Sequence, residues 1–114
     1  MAEFTLAHIG INAENEAEAM KTAELLSAMF GFAVKPGNSS VFAGTGFEIM
    51  KSPYLGKNGH IAIGTPDVAA AQTELEARGF AFLPETAKHK DGHLHAIYLK
   101  DEICGFAVHL VCNK

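Results

Sequence analysis

Two histidines stand at the head of the same short phrase. Residues 7–12 read Ala-His-Ile-Gly-Ile-Asn, and residues 59–64 read Gly-His-Ile-Ala-Ile-Gly. His8 and His60 therefore occupy matching places in an apolar, β-branched setting. A lone histidine in a strand is ordinarily a hydrogen-bonded core or surface residue. Two of them at equivalent places in a repeat suit one shared metal site better. Further along each copy, a polar side chain again lies between large apolar ones: Glu48 in Phe47-Glu48-Ile49-Met50, and His109 in Val108-His109-Leu110. Imidazole nitrogen and carboxylate oxygen are ligands that transition metals take. An unpartnered buried carboxylate is unfavourable, and a metal ion would relieve it. The competing reading of Glu48 is a solvent-facing residue on an edge strand.

The elements that must position these four follow from the pattern around them. Residues 5–11 alternate as a strand, with Thr5, Ala7, Ile9 and Ile11 on one side and Leu6, His8 and Gly10 on the other. Asn15 can cap the next helix, with Glu18 at the capping-box position. Ala19, Ala23, Leu26 and Phe30 recur at helical steps and predict one buried stripe, ended by Gly31. Residues 32–35 form a short strand at most before the turn Pro36-Gly37-Asn38. Ser40–Ala43 and Phe47–Met50 make a hairpin around Gly44-Thr45-Gly46. The second copy opens with a strand over 59–63. Thr65-Pro66-Asp67 predicts a helix start, with Thr65 as the cap and Val68, Ala71 and Leu75 as its buried stripe, closed by Gly79. Strands over 80–83, 94–99 and 106–111 follow, with a longer loop over 84–93. Gly31-Phe32-Ala33 and Gly79-Phe80-Ala81 mark the same turn in the two copies. The inferred order is βαβββ twice, with spacing that drifts as in an old duplication.

If the isoleucines and the apolar neighbours of Glu48 and His109 pack under the helices, strand parity sends His8, Glu48, His60 and His109 to the opposite, concave face. His93 and His95 share one side of a strand start beside His89. A second metal clip is conceivable there, and a solvated loop is the preferred reading.

Composition narrows the classes. The 114 residues carry a formal net charge of −4 with 48% hydrophobic content, which suits one domain with a buried core. Module one spans 4–52, a connector 53–58 and module two 59–113. No Lys/Arg cluster tracks a face, so nucleic acid and anionic membrane are not expected partners. No apolar run reaches transmembrane length and no signal-peptide pattern opens the chain, so a cytoplasmic location is expected. Cys104 and Cys112 form no Cys-x-x-Cys pair and are expected as reduced, mostly buried thiols. No Ser-His-Asp, phosphate-loop or dinucleotide fingerprint is present.

Over essentially its whole length the chain resembles the vicinal oxygen chelate superfamily, which includes glyoxalase I, extradiol dioxygenases, methylmalonyl-CoA epimerase and bleomycin resistance proteins. Gly59-His60-Ile61-Ala62-Ile63 looks like that family's second-module opening. Tyr98-Leu99-Lys100-Asp101 through Gly105 to His109-Leu110 looks like its closing pattern, in which an aromatic residue leads through Asp-Pro-Asp-Gly to Glu-Leu. Here the proline is missing, the turn is one residue longer, and His109 replaces the final Glu. The resemblance implies an α+β fold, with two βαβββ modules forming a half-open mixed β-barrel and a helix outside each. It also implies one divalent metal on His8, Glu48, His60 and His109, and a homodimer. Three histidines and one glutamate suit Zn, Ni, Fe or Mn better than Ca or Mg. The segments 38–44, 50–57 and 96–100 are similar to the chelate-type extension of some 2-keto-3-deoxy-6-phosphogluconate aldolases, which hints at sugar-acid or oxo-acid metabolism.

The resemblance leaves three functions open. The first is a lyase or isomerase acting on a small oxo or hydroxy acid through a metal-stabilised enediolate, with Glu48 moving the proton as the catalytic residue. The second is a non-catalytic small-molecule binding or resistance module. The third is an extradiol-type dioxygenase using two His and one carboxylate.

Overall fold

The computed structural model describes residues 2–114. Its first half runs β1 (Thr5–Asn12), α1 (Glu16–Phe30), β2 (Val34–Pro36), β3 (Ser40–Ala43) and β4 (Phe47–Met50). Its second half runs β5 (Gly59–Thr65), α2 (Val68–Ala77), β6 (Phe82–Lys90), β7 (His93–Leu99) and β8 (Phe106–Cys112). The inferred βαβββ order is thus present twice. All eight strands join one mixed sheet in the order β2-β3-β4-β1-β5-β8-β7-β6. That order is symmetric about its middle. β1 pairs with β4 in parallel and β5 with β8 in parallel, while β1 and β5 meet antiparallel at a central seam. The two modules therefore pair within one chain. The fold class is the expected α+β arrangement, with the sheet left open and not closed into a barrel.

Each helix covers its own half. α1 lies over β3, β4 and β2, and α2 over β7 and β8. Under α1 the core is Ala13, Ala19, Ala23, Val41, Ala43 and Ile49, with Ile11 and Phe47 packed against it. Under α2 it is Val68, Ala71, Phe82, Ile97 and Leu110, joined by Ile63, Leu75 and Leu99. The parity expected of the isoleucines and of the residues flanking Glu48 and His109 is met. α1 begins where its cap residue predicts: Asn15 Oδ1 accepts from Glu18 N at 2.8 Å. It ends at Gly31, whose φ of 78° is the left-handed conformation that glycine adopts freely.

Several expectations need correction. The buried stripe of α1 stops before Phe30, which is 63% exposed and packs its ring against Phe32, with ring centres 6.0 Å apart. The cap of α2 is Asp67, not Thr65: Asp67 Oδ1 accepts from Ala70 N at 3.0 Å, and Thr65 is still the last residue of β5. The expected loop over 84–93 is mostly strand, since β6 continues to Lys90 and turns through Asp91-Gly92 into β7. Its pairing with β7 is irregular between Leu83 and Lys88, so Pro84 falls where no regular ladder is required. The thiols are less buried than expected, with Cys104 exposed and Cys112 half-buried.

Candidate metal centre

The pairing register places the four singled-out residues around two small ones. On β1, Gly10 lies opposite Glu48 of β4 and opposite His60 of β5. On β5, Ala62 lies opposite His8 of β1 and opposite His109 of β8. Directly paired residues share a sheet face, as do residues two apart on one strand. His8, Glu48, His60 and His109 therefore rise from one face around a floor of Gly10 and Ala62. Sequence reading overlooked these two floor residues, although the variable position of His-Ile-x-Ile was their signal.

The donor atoms converge closely. Glu48 Oε1 lies 3.0 Å from His60 Nε2 and 3.2 Å from His8 Nε2, and the two Nε2 atoms are 3.3 Å apart. His8, His60 and His109 each present a ring nitrogen within 4.8 Å of the others. Ligands about 2.0–2.1 Å from an ion lie about 2.9 Å apart at octahedral right angles and about 3.3 Å apart in a tetrahedron. The Glu48–His60–His8 triangle has edges in that range, so these donors fit a first-row divalent ion. The nitrogen-rich set also suits such an ion by chemistry.

Neighbouring groups hold the donors in place. Ser40 Oγ donates to Glu48 Oε2 at 2.7 Å, leaving Oε1 for the histidines. His109 Nδ1 is 3.1 Å from the Leu110 carbonyl, an acceptor that assigns the hydrogen to Nδ1 and leaves Nε2 as the lone pair. Phe42 stands edge-on to His8 with ring centres 5.4 Å apart, and Tyr98 packs on His109 at 4.7 Å. Tyr54, from the segment joining the modules, packs on Tyr98 at 5.7 Å and stays about half exposed. The centre thus has aromatic flanks on both sides.

Electrostatics separates the two last-strand residues. Burial pushes the Glu48 carboxyl upward, but hydrogen bonds from His60, His8 and Ser40 outweigh it and hold it far below the usual carboxylate range. Burial pushes His109 down to about 4; the Leu110 carbonyl opposes this, and the nearby His60 and His8 act with it. Burial also raises the Tyr98 phenol, helped by Tyr54 and by the Glu48 charge. At neutral pH the last strands therefore offer one carboxylate and one neutral imidazole.

His93 and His95 lie elsewhere. They stand on β7, not in a solvated loop, and line a cleft of about 550 Å³ beside the start of α2, with Lys90, Asp67 and Cys112. Among the described residues, His8, His60 and His109 are the group whose donor atoms converge as a metal cluster would.

No family model and no curated protein matches the sequence. Solved structures do match in architecture. A Streptomyces coelicolor methylmalonyl-CoA epimerase variant in complex with 2-nitronate-propionyl-CoA superposes with a TM-score of 0.68 at 22% identity, over 95% of this chain and 93% of that one. The fold is that of the vicinal oxygen chelate proteins. A methylmalonyl-CoA epimerase from Mycobacterium tuberculosis shares the chelate fold with a TM-score of 0.63 at 17% identity, over 96% of this chain and 87% of that one. So does a hypothetical protein from Bacillus halodurans C-125, with a TM-score of 0.68 at 15% identity, covering 98% and 96% of the two chains. At these identities the likeness establishes the fold.

Proposed function

We propose that this chain binds one divalent metal ion through His8, Glu48, His60 and His109, and catalyses isomerisation at the carbon next to a carbonyl. The carrying observation is the triangle of Glu48 Oε1, His60 Nε2 and His8 Nε2, with edges of 3.0–3.3 Å. Zn, Ni, Fe and Mn are the candidate ions. Such an ion, when bound, would act as a Lewis acid toward a substrate oxygen. The substrate class is a small 2-substituted oxo acid or its acyl thioester. Among proteins of this fold, one solved structure holds methylmalonyl-CoA and another 2-nitronate-propionyl-CoA, which favours isomerase over lyase or dioxygenase chemistry.

The chain's own residues supply positioning and proton movement. Phe42 and Tyr98 flank the donors, so an apolar substituent is accommodated beside the oxygen-binding face. Glu48 is ionised and can accept a proton only after leaving the three donors that hold it. In the proposed step the substrate C–H bond breaks and its proton passes to the Glu48 carboxylate. The electron pair delocalises onto the carbonyl oxygen, and a new C–H bond forms as a proton returns to the carbon from the Glu48 carboxyl or from solvent. We also propose a homodimer as the working assembly.

The test combines metal loading with isotope exchange. Purified protein is expected to hold close to one equivalent of Zn, Ni, Fe or Mn by elemental analysis. In D₂O it is expected to exchange the hydrogen next to the carbonyl in methylmalonyl-CoA or a simpler 2-substituted oxo acid. A metal-loaded protein that exchanges none of these would turn the reading to a non-catalytic ligand binder. That second reading is favoured by how firmly Glu48 is held and by the imidazole at position 109.

A further inference from the structure

We propose that Gly10 and Asn12 of β1 are positioning residues for His60, Gly10 by leaving room for its ring and Asn12 by accepting its Nδ1 hydrogen. The inference rests on the metal reading for Asn12, and stands apart from it for the fit of the His60 ring over Gly10, which metal-free spectra also read.

The argument for Gly10 is steric. A Cβ on Gly10 would lie 1.9 Å from His60 Cε1, 2.0 Å from Nδ1 and 2.5 Å from Nε2. His60 is 1% exposed, so its ring has no open space to retreat into. The ring therefore lies across the bare backbone of β1. Gly10 also faces Glu48 on its other side, so crossing over Gly10 is what brings His60 Nε2 to Glu48 Oε1. At the matching place in module two stands Ala62, between His8 and His109. His8 does not sink as deep, and its side chain stays 13% exposed against 2% for His60.

The argument for Asn12 is one of donors and acceptors. Asn12 is the next residue on the face of Gly10, so it is a diagonal neighbour of His60. Diagonal neighbours on an antiparallel pair lie about 7–8 Å apart, within reach of such side chains. Asn12 Nδ2 donates to the Gly56 carbonyl at 2.9 Å, which fixes how the amide is turned. Its Oδ1 is then buried with no partner, and so is His60 Nδ1. Among the described residues these are the two buried side-chain polar atoms left unpaired. When His60 offers its Nε2 lone pair to the shared centre, its Nδ1 carries the hydrogen. One orphan is then a donor and the other an acceptor. One water between them would satisfy both, as the outer nitrogen of a ligating histidine is generally satisfied.

The test compares wild type with Gly10→Ala, Asn12→Leu and Asn12→Asp. Zn²⁺ binding is measured by competition with a chromophoric chelator, and imidazole states by long-range ¹H–¹⁵N spectra with and without Zn²⁺. Gly10→Ala is expected to weaken Zn²⁺ by more than about 100-fold, and Asn12→Leu by about 10–100-fold, the usual effect of losing an outer partner of a ligating histidine. With Zn²⁺ bound, a slowly exchanging Nδ1–H of His60 is expected in wild type and Asn12→Asp, and not in Asn12→Leu. Gly10→Ala binding Zn²⁺ within threefold of wild type, or a His60 Nδ1–H unchanged in Asn12→Leu, would overturn the proposal. If Gly10→Ala does not fold, adding His60→Ala must restore folding; failure to do so overturns the steric argument. If wild type binds no Zn²⁺, Mn²⁺ or Ni²⁺, the metal reading falls. The Gly10 inference is then judged by whether Gly10→Ala shifts the His60 resonances of the metal-free protein and leaves those of His93 and His95 in place.

Discussion

The two halves of this molecule keep the same frame and fill it differently. Module one ends in a short hairpin, with β3 and β4 of four residues each, while module two ends in a long one, with β7 and β8 of seven each. Four of the six buried core residues under α1 are alanines, whereas under α2 one of five is, the others being Val68, Phe82, Ile97 and Leu110. At the centre, module one contributes the glycine of the floor and the carboxylate; module two contributes the alanine and the second imidazole. Positions survive duplication because strand register fixes them. Side chains at those positions remain free to divide the chemistry, and here the division leaves one anion among three imidazoles.

That comparison can be broken most sharply at the ends of the last strands. Glu48→Gln is expected to abolish proton exchange and to weaken Zn²⁺ beyond the about 10–100-fold typical of an outer partner. His109→Gln is expected to weaken Zn²⁺ less. Equal losses in a competition titration would mean that the two ends are equivalent after all.

The cores offer the next comparison. Ile49 and Leu110 occupy matching places and are 0% and 2% exposed. Each change to Ala is expected to lower stability by about 2–5 kcal/mol in denaturant titrations of metal-free protein. The two losses should be similar, because Met20 and Leu26 can lean into the space left by Ile49. Leu75 and Leu99 can lean into the space left by Leu110.

A smaller effect concerns acid. His109 has a pKa of about 4 in the folded protein, against 6.5 ordinarily. Since the folded state disfavours the charged ring, the stability tied to a neutral His109 is complete above about pH 6.5 and is lost as pH falls toward 4. In calorimetry of metal-free protein, Tm is expected to drop less over that range in His109→Gln than in wild type. The smallest effects are at the caps. Asn15→Ala and Asp67→Ala should each cost about 1 kcal/mol, with similar losses for the two helices.

Much of this was legible in the sequence because alternation and capping are local. Asn15 with Gly31 delimited α1, the Gly44-Thr45-Gly46 hairpin closed module one, and the isoleucines of the repeat fixed which face His8 and His60 share. β6 was not legible. Its stretch Pro84-Glu85-Thr86-Ala87-Lys88-His89-Lys90 is polar on both sides, as an edge strand can be, so no alternation announces it. Thr65 looked like a cap because Ser, Thr and Asp serve alike in that place, and only tertiary pairing of β5 with β8 shows that the strand runs on through it. The roles of Gly10 and Asn12 were hidden for a different reason: each depends on the residue facing it across the seam.

The seam itself carries a consequence. Glu48 belongs to one half and its nearest imidazole, His60, to the other, so the junction of β1 and β5 is fastened by a clasp with one jaw on each side. Parting the halves even slightly would open the clasp, and closing the clasp would draw the halves together. Backbone amides of Gly10 and His60, which face each other across that junction, are therefore expected to exchange with solvent only when the whole sheet comes apart.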